Sequence, residues 1–287
     1  ASGRFGSPLT AVKTLLCEDP EDSDSYSETL MTLNTMRKQT ETEIMTEIVN
    51  YINADPQVLD HRVLVLSGKG WHHGVIGIVS SRILEFYGKP NIIISIDDNG
   101  NARGSARSVK GFNIFKCFQH CGDVLEKFGG HECAGGLSLA ADRIEDFTKL
   151  VYEYSEAMES FPALEFVADK LLMPEDISVD SIKGLNSMEP FGAENPQPVF
   201  AILGARVDKI IPLSQGKHTK IEFTYGGYHG QALIFSLAPE KACFAVGDKI
   251  DMLVNLEVNV FNGRESAAIK VIDHRLSGVK QDRYFAA

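Results

Sequence analysis

The sequence predicts an α/β domain followed by an all-β barrel. Short apolar strands alternate with helical segments from Arg62 onward, strictly alternating polar and apolar residues follow Val199, and a proline-rich stretch separates the two patterns. A chain of 287 residues with 44% hydrophobic content can bury a core and is long enough for roughly two domains.

The first part of the chain has the element order of a mixed sheet covered by helices. A long helix without proline or glycine is predicted over 27–52, after an acidic turn at 18–24. The predicted strands are 63–66, 91–96, 102–108 and 135–139, and the predicted helices are 75–87, 114–120 and 142–161.

The second part predicts the five strands of an OB-fold barrel, at 199–212, 217–225, 228–236, 249–261 and 264–275. Asn262-Gly263 marks a hairpin turn, and a short helical turn is expected after Pro239. The expected domains are a connecting segment with the long helix at 1–60, the α/β domain at 61–161, a linker at 162–198, the barrel at 199–276 and a tail at 277–287.

The number of cysteines and the length of the apolar runs indicate a soluble protein in a reducing compartment. The five cysteines are few and odd in number, which disfavours a disulfide framework. No run approaches the roughly 18 apolar residues of a membrane span, and the first residues lack the pattern of a signal peptide. We therefore expect a cytoplasmic protein.

The net charge of −11 argues against a nucleic-acid partner, because phosphate binding depends on lysine and arginine. The charge is unevenly distributed, however. Residues 61–131 carry nine basic and five acidic side chains, whereas residues 132–200 carry four basic and fourteen acidic ones. The basic blocks are compatible with a binding surface and equally with ordinary solvated surface.

A short segment between Arg103 and Ser108 combines two arginines and two hydroxyls. On an extended strand Arg103, Ser105 and Arg107 face one way and form a single row of donors. A guanidinium fork beside a hydroxyl suits a terminal phosphate. The alternative is an exposed basic strand edge.

A second cluster, Phe128-Gly-Gly-His-Glu-Cys-Ala-Gly-Gly-Leu137, places one histidine among glycines just before a strand. Glycines let the backbone approach a ligand, and the imidazole of His131 can donate to a phosphate oxygen. The alternative is a glycine-rich turn with an incidental histidine.

Two further patterns carry weaker signals. Glycines and the chain's one tryptophan, Trp71, precede a helix whose first turn offers free amides, although a core role suits a lone tryptophan better. Cys117 and Cys121 lie four residues apart near His120, His131 and Cys133, but this spacing differs from the usual zinc knuckles, so packing is the favoured role.

These motifs, in this order, resemble the RecJ family of single-strand exonucleases in the DHH phosphoesterase superfamily, over nearly the whole chain. The matching segments are Ala1-Ser-Gly-Arg-Phe-Gly6 with Ala11-Val12, Trp71 to Val79, Gly104 to Ser108, Gly129-Gly-His131 and Met188 to Phe200. The resemblance implies a DHH-associated domain followed by an OB-fold.

The resemblance also implies roles for individual residues. Ser105 and Arg107, together with Arg4, would hold the 5′ phosphate of a DNA single strand, and His131 would face the scissile phosphate as an auxiliary group. The residues expected to bind substrate are Arg4, Arg103, Ser105, Arg107, Ser108, Gly129, Gly130 and His131. The barrel would hold the strand, with Tyr225, Tyr228 and Phe261 as stacking candidates that no motif fixes.

The family's chemistry requires Asp and His residues that bind Mn²⁺ or Mg²⁺, and no such cluster occurs in this sequence. His72-His73 follows tryptophan rather than aspartate, and Gly135 stands where the family more often has alanine. We therefore expect no cofactor in this chain, a metal-bearing DHH domain elsewhere in the same protein, and single-strand-binding or repair proteins as further partners.

Two other functions remain open at this point. One is a phosphodiesterase for short oligonucleotides or dinucleotides, although the β-rich block argues against so small a substrate. The other is a stand-alone adaptor that binds single strands.

Overall fold

A computed structural model describes residues 2–279, which divide into two compact units at Leu164/Glu165. The first unit holds a helical segment and a five-stranded mixed sheet, and the second holds a β-barrel. Of the helices in residues 2–279, none combines the length and the apolar character that crossing a bilayer requires.

The chain begins with three helices, α1 (Ser2–Phe5), α2 (Leu9–Leu16) and α3 (Pro20–Ala54). Helix α3 starts seven residues earlier than the sequence predicts, because the acidic segment interpreted as a turn is its first turn. The carboxylate of Asp19 accepts hydrogen bonds from the amides of Glu21 and Asp22, and Pro20 occupies the position where proline suits a helix. Acidic side chains there also favour the helix dipole.

The first sheet has the strand order β1-β2-β3-β5-β4, in which only β1 and β2 are parallel. Its elements in chain order are β1 (Leu64–Lys69), α4 (Ile76–Tyr87), β2 (Asn91–Ile96), β3 (Asn101–Arg107), α5 (Ile114–His120), β4 (Lys127–Gly130), β5 (Ala134–Ala140) and α6 (Ile144–Glu156). Strand β4 is not predicted from the sequence, because its two glycines have low strand propensity and only pairing with β5 makes it a strand.

The sheet is covered differently on its two faces. Helices α3 and α4 pack on the face that carries Leu66 and Ile93, over β1 and β2. Helices α5 and α6 pack on the opposite face, against residues such as Ala106 and Leu139 of β3 and β5. Strands β4 and β5 also have a face that points away from α5 and α6, on the α4 side of the sheet. The residues on that face belong to neither of the two hydrophobic clusters that α3 with α4 and α5 with α6 form with the sheet.

The second unit is a closed five-stranded barrel with an added short strand and one helix. Its elements are β6 (Lys170–Leu171), α7 (Val179–Leu185), β7 (Phe200–Leu213), β8 (His218–Tyr225), β9 (Tyr228–Ile234), β10 (Lys249–Phe261) and β11 (Arg264–Leu276). Strand β10 pairs with both β7 and β11, and β11 pairs with β9 in parallel, which closes the barrel. The OB-like architecture is thus confirmed.

The stretch 162–198, predicted as a linker, contributes β6 and α7 to the second unit. Strand β6 pairs with β7, and Ile182 of α7 is buried in the barrel core. Most of the tail predicted at 277–287 lies outside the described residues.

Gly135 on β5 illustrates how closely the first core is packed. A Cβ atom at Gly135 would lie 2.7 Å from Cε2 of Phe118, whose side chain is fully buried. Alanine at position 135 would therefore crowd the large aromatic ring of Phe118 on α5. This contact is a physical reason for glycine at a position where alanine is expected.

We predict that Gly135→Ala lowers the free energy of unfolding of the first unit by about 1–3 kcal/mol, the usual cost of overpacking a core. Hydrogen exchange of amides in β3 and β5 would measure the change. Gly122→Ala is the matched control, because a Cβ there meets no atom within 4 Å. Adding Phe118→Leu to Gly135→Ala should restore part of the loss, and equal stability of the two alanine variants would contradict the explanation.

Candidate functional site

The side chains of Arg103, Ser105 and Arg107 form a row on one face of β3, as the strand alternation predicts. Arg103 is exposed, and Ser105 and Arg107 are partly buried. The residues between them, Ala102, Gly104 and Ala106, are buried and point toward α5 and α6 or their neighbours.

The beginning of helix α4 lies directly against this row. A Cβ atom placed on Gly77 would be 3.1 Å from Oγ of Ser105 and 3.8 Å from Nη2 of Arg107. Val75 occupies the N-cap and offers no side-chain cap to the first turn. A guanidinium, a hydroxyl and the positive end of a helix dipole therefore meet at one place, an arrangement suited to an anion.

Arg4 approaches the same place from α1. Its Nη1 donates to the carbonyl of Gly74 at 2.6 Å, and the adjacent Phe5 ring stacks on His72 with centroids 4.1 Å apart. Burial lowers the pKa of Arg107, and the positive charge of Arg4 lowers it further. Within residues 2–279 neither forms an ion pair, so an anion bound there would relieve their mutual repulsion.

Beyond Ser105 the sheet surface is bare backbone. Ser105 pairs with Gly136 on β5, and Gly136 pairs with Gly129 on β4, so all three share one face. A Cβ on Gly129 would meet nothing within 4 Å, and one on Gly136 would meet only the carbonyl of Gly104 at 3.7 Å. These glycines leave an open surface next to the row where a ligand could contact the backbone closely.

His131 lies in the turn between β4 and β5, at the Arg107 end of the row. Its amide donates to the carbonyl of Ala134 at 2.8 Å, and Ala134 pairs with Arg107. The imidazole is exposed. Gly130 has φ = +143°, and a Cβ there would lie 2.4 Å from the carbonyl oxygen of Ala134, so only glycine fits this turn.

At the opposite end of the row, a cavity of about 210 Å³ adjoins Arg103. It is lined by His73, Ser95, Asp97, Asn101 and Arg103. Hydrogen bonds from Asn101 lower the pKa of Asp97. The same hydrogen bonds to the Asp97 carboxylate stabilise the turn after β2.

Ser108 is the one predicted ligand that the structure places apart from the row. It is 5% exposed, and its hydroxyl donates to the carbonyl of Phe112 at 2.6 Å. Strand β3 ends at Arg107, and the Ser108 hydroxyl closes the turn that follows it.

Trp71 and the cysteines have the packing roles that the sequence favours. The Trp71 ring covers Gly68, and its Nε1 donates to Glu47 of α3 at 2.7 Å. Cys117 and Cys121 are both buried, and the contact between the two thiols together with burial raises the pKa of Cys117. Among residues 2–279, no group of three or more His, Cys, Asp or Glu side chains could hold a metal ion.

Gly77 is a site residue that the sequence analysis missed. A glycine inside a helix costs about 1 kcal/mol relative to alanine, so its presence in the first turn of α4 is a signal of close approach. Only the fold shows which strand it approaches.

Two protein families match this chain. The model described as the DHHA1 domain matches residues 60–157, and the model described as the RecJ OB domain matches residues 168–273. The first range contains β3, α4 and the glycine turn, and the second contains the barrel except for the last three residues of β11.

Similar proteins extend the match to nearly the whole chain. The single-stranded-DNA-specific exonuclease RecJ of Bacillus subtilis (strain 168) is 29% identical over 282 residues, covering 96% of this chain and 36% of that protein. The protein of the same name from Escherichia coli (strain K12) is 29% identical over 291 residues, covering 96% and 49%.

A solved structure gives the same result. The crystal structure of RecJ from Thermus thermophilus in complex with Mg²⁺ has a TM-score of 0.75 and 25% identity, covering 97% of this chain and 42% of that one. The chain thus spans less than half the length of each of these relatives. Its residues 60–157 thus match the model of the DHHA1 domain and its residues 168–273 match that of the RecJ OB domain, and the chain is similar to RecJ proteins over nearly its whole length.

Proposed function

We propose that this chain is the strand-binding part of a RecJ-like 5′→3′ single-strand exonuclease and that its first unit holds the 5′ phosphate of the DNA. The observation that carries the proposal is the meeting of Arg4, Ser105 and Arg107 with the beginning of α4 at Gly77. The relatives named single-stranded-DNA-specific exonucleases support the choice of ligand.

The geometry suits a terminal phosphate better than an internal one. A terminal phosphate has three free oxygens and about −1.5 to −2 charges, matching two guanidiniums, a hydroxyl and the positive end of a helix dipole. Lower negative charge on a diester would leave the repulsion between Arg4 and Arg107 less compensated.

His131 and the bare glycine surface would then adjoin the strand near its end. An exposed imidazole can donate to a phosphate oxygen, and in this proposal His131 faces the phosphate that is cut. The hydrolysis itself would take place at Mn²⁺ or Mg²⁺ in a DHH domain of the full-length protein, where the metal activates water. The structure of a relative in complex with Mg²⁺ supports this expectation.

We predict that wild-type chain binds a 5′-phosphorylated 20-nucleotide single strand about tenfold or more tightly than its unphosphorylated twin. Arg107→Ala should remove about 1.5–3 kcal/mol of binding to the phosphorylated strand, the value of a charge-assisted hydrogen bond, and should change binding of the twin little. Fluorescence anisotropy with both strands measures this. Equal affinities in the wild type would contradict the phosphate site.

Two matched controls separate the site from general charge and hydroxyl effects. Arg143→Ala removes an exposed arginine that pairs with Asp146, and it should leave the ratio of the two affinities unchanged. Ser105→Ala should lower the ratio, whereas Ser108→Ala should not, because the Ser108 hydroxyl already donates to Phe112.

We predict that Gly77→Ala weakens binding of the phosphorylated strand without lowering thermal stability. Alanine stabilises a helix by about 1 kcal/mol relative to glycine, but the new Cβ would crowd the Ser105 hydroxyl and turn it from its rotamer, at about 0.5–1.5 kcal/mol. A loss of about 2- to 10-fold in affinity is expected. Gly184→Ala in α7 is the control, since a Cβ there meets no atom within 4 Å, and it should not change binding.

A further inference from the structure

The cavity beside Arg103 opens on the same face of the sheet as the donor row of β3. Ser95 on β2 pairs with Arg103, and residues paired in this way point to the same face. Ser95 is buried, and its hydroxyl donates to the carbonyl of Trp71, in the segment that leads into α4. His73 of that segment completes the wall of the cavity. Because Gly77 in the first turn of α4 lies against the row, one continuous stretch of chain borders both the row and the cavity.

His131 and the cavity lie at opposite ends of the row. His131 is in the turn next to Arg107, the last residue of β3, whereas the cavity adjoins Arg103 near the beginning of the strand. Ser105 lies between them, about 7 Å from Arg103 at the usual rise of a strand. In the proposed function the DNA leaves its terminal phosphate toward His131 and the glycine surface. The cavity therefore faces the outer side of that phosphate, away from the nucleotides.

The part of the face next to the cavity carries positive charge. Arg103 forms no ion pair within residues 2–279. Strand pairing continues from Arg103 to Ser138 on β5 and from Ser138 to Lys127 on β4, so Lys127 shares this face. Lys127 is exposed and, in the described part of the chain, also lacks an ion-pair partner. An anion in the cavity would compensate this charge.

Asp97 supplies the carboxylate in the wall of the cavity, and its oxygens already accept several hydrogen bonds. The donors are the backbone amides of Asn99 and Asn101 and the side-chain amide of Asn101, at 2.8 to 2.9 Å. The carboxylate therefore serves the turn after β2. Two exposed groups of the wall remain as donors to a ligand, the guanidinium of Arg103 and the imidazole of His73.

We propose that this cavity holds the outer phosphoryl groups of a single strand whose 5′ end is a triphosphate. The assignment rests on the proposed function, in which the row at Ser105 holds the first phosphate. A further phosphoryl group is joined to the outer oxygen of that phosphate, so it extends away from the nucleotide, on the side of the cavity. A guanidinium fork suits phosphoryl oxygens, and Arg103 lies where two phosphoanhydride links lead from Ser105. The substrates then include strands begun without a primer, whose first nucleotide keeps its triphosphate.

This assignment determines the first product of hydrolysis in a full-length enzyme. Water attacks the phosphorus between the first two nucleotides, the bond to the 3′ oxygen of the first nucleotide breaks, and that oxygen takes up a proton. The first nucleotide leaves as a nucleoside 5′-triphosphate. The shortened strand keeps an ordinary 5′ monophosphate, so the cavity is used only in the first cycle.

The test compares the affinity of the whole chain for three 20-nucleotide strands of one sequence, ending in a 5′ hydroxyl, a 5′ monophosphate or a 5′ triphosphate. Wild-type chain should bind the triphosphate about tenfold more tightly than the monophosphate, the lower value for a charge-assisted hydrogen bond. Arg103→Ala should bring this ratio close to one, and Arg103→Lys should keep part of it, because lysine retains the charge without the fork. Arg103 is exposed, so neither change disturbs the core. Fluorescence anisotropy in buffer with EDTA measures binding without divalent cations.

Arg264→Ala is the matched control, because it removes from the barrel an exposed arginine that, like Arg103, has no ion-pair partner within residues 2–279. It should leave the ratio of triphosphate to monophosphate affinities unchanged. Arg107→Ala should weaken binding of both phosphorylated strands by similar factors and so keep the ratio. Equal reduction of the ratio by Arg103→Ala and Arg264→Ala would show a general effect of charge and overturn the proposal.

The three strands separate this proposal from the proposed function. Equal affinities for the monophosphate and hydroxyl strands would reject the phosphate site, whereas a triphosphate preference that Arg103→Ala removes would still support the cavity. Wild-type chain that binds the triphosphate no more tightly than the monophosphate would overturn the assignment of the cavity and leave the phosphate site standing. Strands with each of the four bases at the first position test a base as the occupant. Affinities that follow this base and not the number of phosphoryl groups would also overturn the proposal.

Discussion

The close approach of helix α4 to strand β3 is the constraint on which the candidate site depends. Gly77 permits it, because any larger residue would meet Ser105. The approach brings the first turn of the helix to the donor row and leaves β5 and β4 uncovered on that side. On its other side the helix packs against α3, where the buried carboxylate of Glu41 forms an ion pair with Arg82 at 2.5 Å.

Ion pairing divides the arginines into two groups. Among residues 2–279 six arginines form ion pairs, at positions 37, 62, 82, 143, 206 and 275. The four without such a partner are Arg4, Arg103, Arg107 and Arg264. An acidic chain with a net charge of −11 thus has three of these four guanidiniums, those of Arg4, Arg103 and Arg107, at the candidate site.

Much of the fold could be predicted from hydrophobic periodicity. The bounds predicted for β10, α5 and β2 agree with the structure, since each has a clear period and a marked end. Strand β4 could not be predicted, because two adjacent glycines do not indicate which distant strand they pair with. The start of α3 was placed too late, because proline and acidic residues signal a turn and a helix start alike.

The candidate site was predictable only in part, for a related reason. Alternation along one strand predicts the row of Arg103, Ser105 and Arg107. The positions of Arg4 and Gly77 beside that row depend on packing between elements that are distant in sequence. A local sequence pattern contains no information about such packing. Ser108 was expected to bind substrate, but the structure buries it after the end of β3, where its hydroxyl donates to the carbonyl of Phe112.

The glycine surface formed by Gly129 and Gly136 has a consequence for what the site can distinguish. In the proposed function, the guanidiniums and the hydroxyl beside this surface would contact the backbone of a strand, and backbone contacts carry no information about base identity. A surface without side chains also has nothing that a purine would strike and a pyrimidine would not. Under the proposed function, a strand held in this manner would advance at a similar pace whatever its sequence, because no nucleotide is singled out by the surface that holds it.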